Sequence, residues 1–143
     1  MSTLILETLI DAPPEICFAL VRDPRLHTKT VATHEGEFGI GQRVRFESKT
    51  LGMTQVLVVE VTEFDPPHRI TDEMVTGSFR AFRHIHEFFP TGDGTLMRDT
   101  VIWTSPLGPL GRLADSLFLV RKLTRLITTR NARLKAIAEG SLI

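Results

Sequence analysis

Residues 107–139 read LGPLGRLADSLFLVRKLTRLITTRNARLKAIAE, and this stretch decides the fold. Leu110, Leu113, Leu117, Val120, Thr124, Ile127, Asn131 and Leu134 recur at helical spacing and share one face. The spacing predicts one helix, from roughly Leu107 to Glu139, far longer than an average helix of three to four turns. A second apolar stripe, Leu119, Leu123 and Leu126, lies roughly 100° round the same helix. That stripe is expected to pack on shorter helices, to form a dimer seam, or to gate a ligand.

Upstream the period is two. Leu4 to Ile10 is apolar and β-branched, a first strand. Asp11-Ala12-Pro13-Pro14-Glu15 then opens a short helix, because proline is tolerated in a first turn and acidic residues favour the helix dipole there. Asp23-Pro24 stops it, and a second short helix or turn is expected over Arg25 to Thr30. Val44, Phe46 and Ser48 alternate with charged neighbours. Gln55 to Phe64, Ile70 to Thr76, Ala81 to Phe89 and Thr95 to Thr104 follow as strands, separated by Asp65-Pro66-Pro67, Gly77-Ser78 and Pro90 to Gly94.

The order strand, two short helices, run of strands, long helix has one economical solution. It is an α+β fold: six or seven antiparallel strands form a curved sheet, and the long C-terminal helix covers its concave face. One helix cannot fill the space beneath so wide a sheet, so a cavity is expected. No linker or repeat divides the chain, and residues 1–143 are read as a single domain.

Composition narrows the function. Apolar residues make up 42% and charged residues 24% of the 143, which is ordinary globular usage. The 17 basic and 17 acidic residues balance, without the basic excess of a nucleic-acid protein. From Leu107 onward seven basic residues face two acidic ones, so this segment carries +5 and residues 1–106 carry −5. The simplest reading of that asymmetry is a solvated basic helix face; the other is a membrane-surface or acidic-partner face. The lone Cys17 permits no internal disulfide and, among Ile16, Phe18 and Ala19, reads as a buried thiol. Met1 to Asp11 shows no signal-peptide pattern and no run approaches the ~18 apolar residues of a membrane span. A cytoplasmic location is expected.

The chemistry-bearing candidates are Asp72, His84, His86 and Asp99. A four-residue loop from Thr91 to Gly94 would set His86 opposite Asp99 and His84 opposite Val101, with Met97 and Trp103 on the same face. The other register would bury Arg98 instead. A three-residue loop Gly77-Ser78-Phe79 would bring Asp72 opposite His84. Three readings stay open. The four groups satisfy one another by carboxylate–imidazole hydrogen bonds, or they anchor a ligand's polar group, or they serve a metal or acid–base chemistry. No third histidine is placed with them, so no metal and no cofactor is expected. His27, His34 and His68 are read as loop or edge residues with surface roles. Gly36, Gly39 and Gly41 precede a strand rather than a helix and are read as a hairpin turn, not a dinucleotide motif. Expected pocket walls are Phe46, Leu57, Val59, Met74, Phe82, Met97, Val101, Trp103, Leu113, Leu117 and Val120.

Several motifs together resemble a known family. They are Asp11-Ala12-Pro13; Phe64-Asp65-Pro66-Pro67-His68-Arg69; Asp72 with Gly77-Ser78-Phe79; His84 to Phe88; Gly94 to Asp99; and Pro106-Leu107-Gly108 with Gly111 to Asp115. Over nearly its whole length the chain is similar to the START/birch-pollen-allergen/polyketide-cyclase (SRPBCC) helix-grip superfamily, in its small bacterial ligand-binding branch. The resemblance implies the helix-grip fold and a hydrophobic pocket; it does not choose among lipid carriers, receptors, cyclases and hydrolases. The leading expectation is binding of a small, largely apolar ligand, lipid-like or aromatic. The alternatives are a cyclase, dehydratase or hydrolase using a His–Asp pair, or an interaction module with a vestigial cavity. Whether the chain is an enzyme stays open. The absence of any tyrosine removes one common cyclase acid. Partners expected are a small apolar molecule and, through the C-terminal helix, a second copy.

Overall fold

The structure, a computed structural model, describes residues 1–27, 31–50, 52–105 and 108–140; the side chains of 50, 108 and 110–116 lie outside the description. Seven strands, β1 (Ser2–Ile10), β2 (Val31–Glu35), β3 (Arg43–Thr50), β4 (Met53–Asp65), β5 (Arg69–Thr76), β6 (Ala81–Thr91) and β7 (Gly94–Thr104), form one sheet in the order β1-β7-β6-β5-β4-β3-β2. Every neighbouring pair is antiparallel. Helix α1 (Pro14–Leu20), a 3-10 turn (Pro24–Leu26) and the 31-residue helix α2 (Gly108–Ala138) complete the α+β helix-grip arrangement expected above. Strand β2 is an addition. Its alternation is short, and its most apolar residue, Val31, points out to solvent at 65% exposure.

The β4–β5 pairing is irregular, and this adds curvature to the sheet. The register shifts between Val58 and Val59, where Val75 of β5 is the extra residue, and again between Val61 and Glu63, where Thr62 of β4 is; each extra residue bends its strand and adds twist. In β7 the alternation is complete: Thr95, Met97, Asp99, Val101 and Trp103 are buried, and the residues between them are half-buried. The opposite face carries exposed ion pairs such as Arg98–Glu7 at 2.9 Å and Arg83–Glu63 at 2.7 Å.

Two apolar clusters fill the interior. At one end Phe18 of α1 packs against Phe38, Phe64 and Phe88, with ring centroids 5.4–5.6 Å apart. Cys17 belongs to this cluster and is fully buried, and burial pushes its thiol up. The second cluster joins Val44, Val59, Phe82, Val101, Trp103 and Ile127. The end of α2 is tied to β1: Lys135 Nζ donates to the Leu9 carbonyl at 2.9 Å, and the Asp11 N–H donates to Glu139 at 2.8 Å.

The inward face of α2 departs from the sequence pattern. Ile127, Asn131 and Leu134 are buried as expected and Val120 and Thr124 are half-buried, but Leu117 is 68% exposed. Leu110 and Leu113 fall outside the described side chains. In the first described turns the stripe Leu119, Leu123 and Leu126 faces inward instead. It continues through Ile127, Arg130, Asn131 and Leu134 as a single helical stripe. Of the roles expected for this stripe, lining the space between helix and sheet is the one the side chains take here.

Candidate functional site

The β6–β7 turn is Gly92-Asp93, with Thr91 paired to Gly94 and Gly92 at φ +53°. It is two residues tighter than expected, yet both strands extend to match, so the register is the one expected: His86 opposite Asp99 and His84 opposite Val101. On the other side of β6, Asp72 stands opposite His84. The side chains join along diagonals. His84 Nε2 lies 2.8 Å from Asp99 Oδ1, and His86 Nε2 lies 3.1 Å from Asp72 Oδ2. The two imidazoles stack with centroids 3.9 Å apart. His86 Nδ1 is 3.2 Å from Asp99 Oδ1 but not in line for a hydrogen bond, and it has no other partner among the described residues.

Two arginines complete the cluster, and the sequence reading missed both. Arg22, just after α1, donates from Nη2 to Asp72 Oδ1 and from Nε to Gln42 at 3.2 Å. Arg130 of α2 donates from Nη2 to Asp99 Oδ1 at 2.6 Å, and Asn131 Nδ2 donates to Asp99 Oδ2 at 2.8 Å. A signal was present: two carboxylates on the inner face of a sheet require buried counter-charges. Arg130 also corrects the picture of a wholly solvated basic face on α2.

The electrostatics follow from this pairing. Burial alone would raise the Asp99 carboxyl, but the Arg130 guanidinium, the hydrogen bond from His84 and the closeness of His86 hold it well below the carboxylate range. Asp72 is pushed up by burial and pulled further down by His86 and Arg22. His84 is lowered to about 4, first by burial and then by His86 beside it. At neutral pH the cluster is two carboxylates, two guanidiniums and a neutral His84, with no net charge on these five groups.

Between the sheet and α2 lies a cavity of about 620 Å³, lined by residues that include Phe46, Leu57, Val59, Phe82, Leu119 and Leu123. Asp72, His84 and His86 also line it, and Asp99 stands behind them. Four of the expected wall positions thus face the space, Phe46, Leu57, Val59 and Phe82. Met97, Val101 and Trp103 are sealed core instead of lining, 0–1% exposed, Met97 in the cluster with α1 and the other two in the second cluster. Met74 and Val120 pack against the second cluster rather than on the lining, Leu117 turns to solvent, and the Leu113 side chain lies outside the described residues.

His27 and His34 need correction too. Both line the cavity instead of the surface. Ala32 and His34 are the inward positions of β2, opposite Phe46 and Val44. His34 Nε2 is buried without a partner among the described residues, and burial lowers its pKa. Burial and Arg130 lower His27 to about 4. His68 is exposed, as expected.

His84, His86 and Asp99 bring ligand-type atoms within 4.8 Å of one another. Yet Asp99 Oδ1 already receives Arg130 and His84, so a metal ion there would press against a guanidinium. The donor set suits a hydrogen-bond network.

An antiparallel sheet gripping one long helix over a polar-floored cavity defines a helix-grip protein of the SRPBCC class. The chain belongs to the polyketide cyclase / dehydrase and lipid transport family, whose model matches residues 3–139. Its fold is shared by TTHA0849 from Thermus thermophilus, with a TM-score of 0.78 at 22% identity over 96% of this chain and 99% of that one. The di-domain ARO/CYC StfQ from the steffimycin biosynthetic pathway aligns with a TM-score of 0.79 at 14% identity, over 96% of this chain and 50% of its own. Ara h 8.0201 aligns at 0.70 and 16% identity, over 93% and 97%. Among curated proteins no sequence matches. Family and fold point to a ligand-binding or polyketide cyclase-like role. No helix among the described residues is long and apolar enough to cross a membrane.

Proposed function

We propose that this chain, acting as a single cytoplasmic domain, binds a small, largely apolar ligand, lipid-like or aromatic, between the sheet and α2. The observation that carries the reading is the cavity itself: about 620 Å³, walled by apolar side chains, with Asp72, His84 and His86 grouped on its lining. That is the composition of a small-molecule site, mainly hydrophobic with a few fixed polar groups. Burying ~200 Å² of apolar ligand surface contributes about 5 kcal/mol before the cost of association, so micromolar affinity is expected. Native mass spectrometry of the protein purified from its own host should show a co-purifying small molecule, and a fluorescent apolar probe should bind the emptied chain. Failure of both would leave the interaction-module alternative.

One observation favours catalysis as the second reading. Asp99 orients the His84 imidazole on the cavity lining at 2.8 Å, the arrangement of a general acid–base pair. The lowered basicity of His84 weakens it as a base at neutral pH, which ranks binding first. Turnover of a co-purified ligand, abolished by His84→Phe, would reverse the order. A homodimer through α2 would have to use the exposed Leu117 and Phe118, and sedimentation of the purified chain tests it.

A further inference from the structure

The polar group that the cavity recognises follows from which nitrogen of His84 carries the proton. Asp99 is an acceptor only. It takes Arg130 and Asn131 through N–H groups that can do nothing but donate. The His84 Nε2 contact at 2.8 Å therefore carries the hydrogen on His84. A neutral imidazole has one N–H, so Nδ1 is a bare lone pair. No hydrogen bond from the described residues reaches Nδ1, and it is not among the sealed, unpartnered atoms, while its ring lines the cavity. The ring cannot flip to offer a donor without setting a lone pair against the Asp99 carboxylate, and the stack on His86 holds its plane.

We infer that His84 Nδ1 accepts a hydrogen bond from a hydroxyl of the ligand, so that the site selects a neutral phenol, enol or alcohol on an apolar skeleton. This rests on the binding reading above and sharpens it. A methyl ether of the same skeleton has no hydrogen to give and leaves the lone pair unmatched. A carboxylate sets its own lone pairs against it, and the Asp72 and Asp99 carboxylates already occupy the charge of Arg22 and Arg130. Lys122 and Arg125 also line the cavity, and an anionic ligand would be drawn toward them instead.

The test titrates the full chain with hydroxypyrene, methoxypyrene and pyrenecarboxylate, substituted at the same ring position, at neutral pH with fluorescence as the readout. The hydroxyl compound is expected to bind about fivefold more tightly than the ether, the effect of one neutral hydrogen bond. His84→Phe should bring the two within about twofold while ether affinity holds. Equal wild-type affinities for hydroxyl and ether overturn the assignment and leave the cavity reading standing. A preference for the carboxylate overturns it in favour of Lys122 and Arg125. No binding by any of the three overturns both. If His84→Phe folds poorly, the wild-type comparison decides alone.

Discussion

His84 and Asp99 are joined at 2.8 Å although they are not opposite each other; the residue facing His84 across the β6–β7 ladder is Val101. Diagonal neighbours in an antiparallel pair are within reach of long side chains. The diagonal leaves the position directly across from Asp99 to His86, whose Nε2 turns away to Asp72. Two imidazoles thus share one strand face, each committed to a different carboxylate.

Stability should fall as the solution is acidified below neutrality. His84 and His27 are each lowered from 6.5 to about 4, mainly by burial. The unfolded chain takes up protons at these rings from about pH 6.5 downward, and the native rings resist until about 4. The stabilisation is complete above the unfolded value and is lost through this window, at up to about 1.4 kcal/mol per pH unit for each histidine. The groups facing them are Asp99, His86, Arg130, Arg22 and His34. Urea midpoints across that range should drop steadily, and a flat profile would refute neutral, buried histidines.

Arg22 and Asp72 form a buried pair, with side chains 9% and 5% exposed. Arg22→Met or Asp72→Leu alone should cost about 3 kcal/mol, since each leaves an unpaired buried charge. The double variant should cost less than either single one. Chemical denaturation of the four proteins closes the cycle, and simple additivity of the two costs would show that the pair is not coupled.

Gly94 and Gly77 should respond differently to alanine. A Cβ at Gly94 would stand 2.5 Å from the Ile10 carbonyl oxygen, a backbone atom of the paired strand end, whereas at Gly77 it meets Leu57 Cδ1 and Met74 Sδ at 2.9 Å. Backbone cannot step aside and side-chain tips can. Gly94→Ala should lower stability by about 2 kcal/mol and Gly77→Ala by under about 1 kcal/mol. Comparable thermal shifts in the two would contradict the geometry.

Leu123 and Leu117 both lie on α2 and should differ in kind. Leu123→Trp fills cavity space and should weaken binding of a pyrene probe about tenfold, near 1.4 kcal/mol. Leu117→Gln, at a position 68% exposed, should leave stability within about 0.5 kcal/mol and binding unchanged. Equal loss of probe binding in both would mean that the probe sits elsewhere.

The periodicities settled most of the architecture, because they are local. Period two from Val44 to Thr104 and period 3.6 after it specify strands and a helix without reference to anything distant. The same alternation set His84, His86 and Asp99 on one face, and turn length carried Asp72 to them. Residues 31–35 escaped because the alternation there runs against its usual sense, with Val31 outward and His34 inward.

Tertiary structure alone decided which side of α2 looks into the cavity and which cations meet the buried acids. An amphipathic helix with two apolar stripes about 100° apart can present either one, and only its seating against the curved sheet chose Leu119, Leu123 and Leu126 over Leu117. Arg22 and Arg130 lie 50 and 31 residues from the aspartates they neutralise. A pairing over that distance leaves no period in the chain; it arises because a charge taken out of water must find its partner wherever the fold brings one.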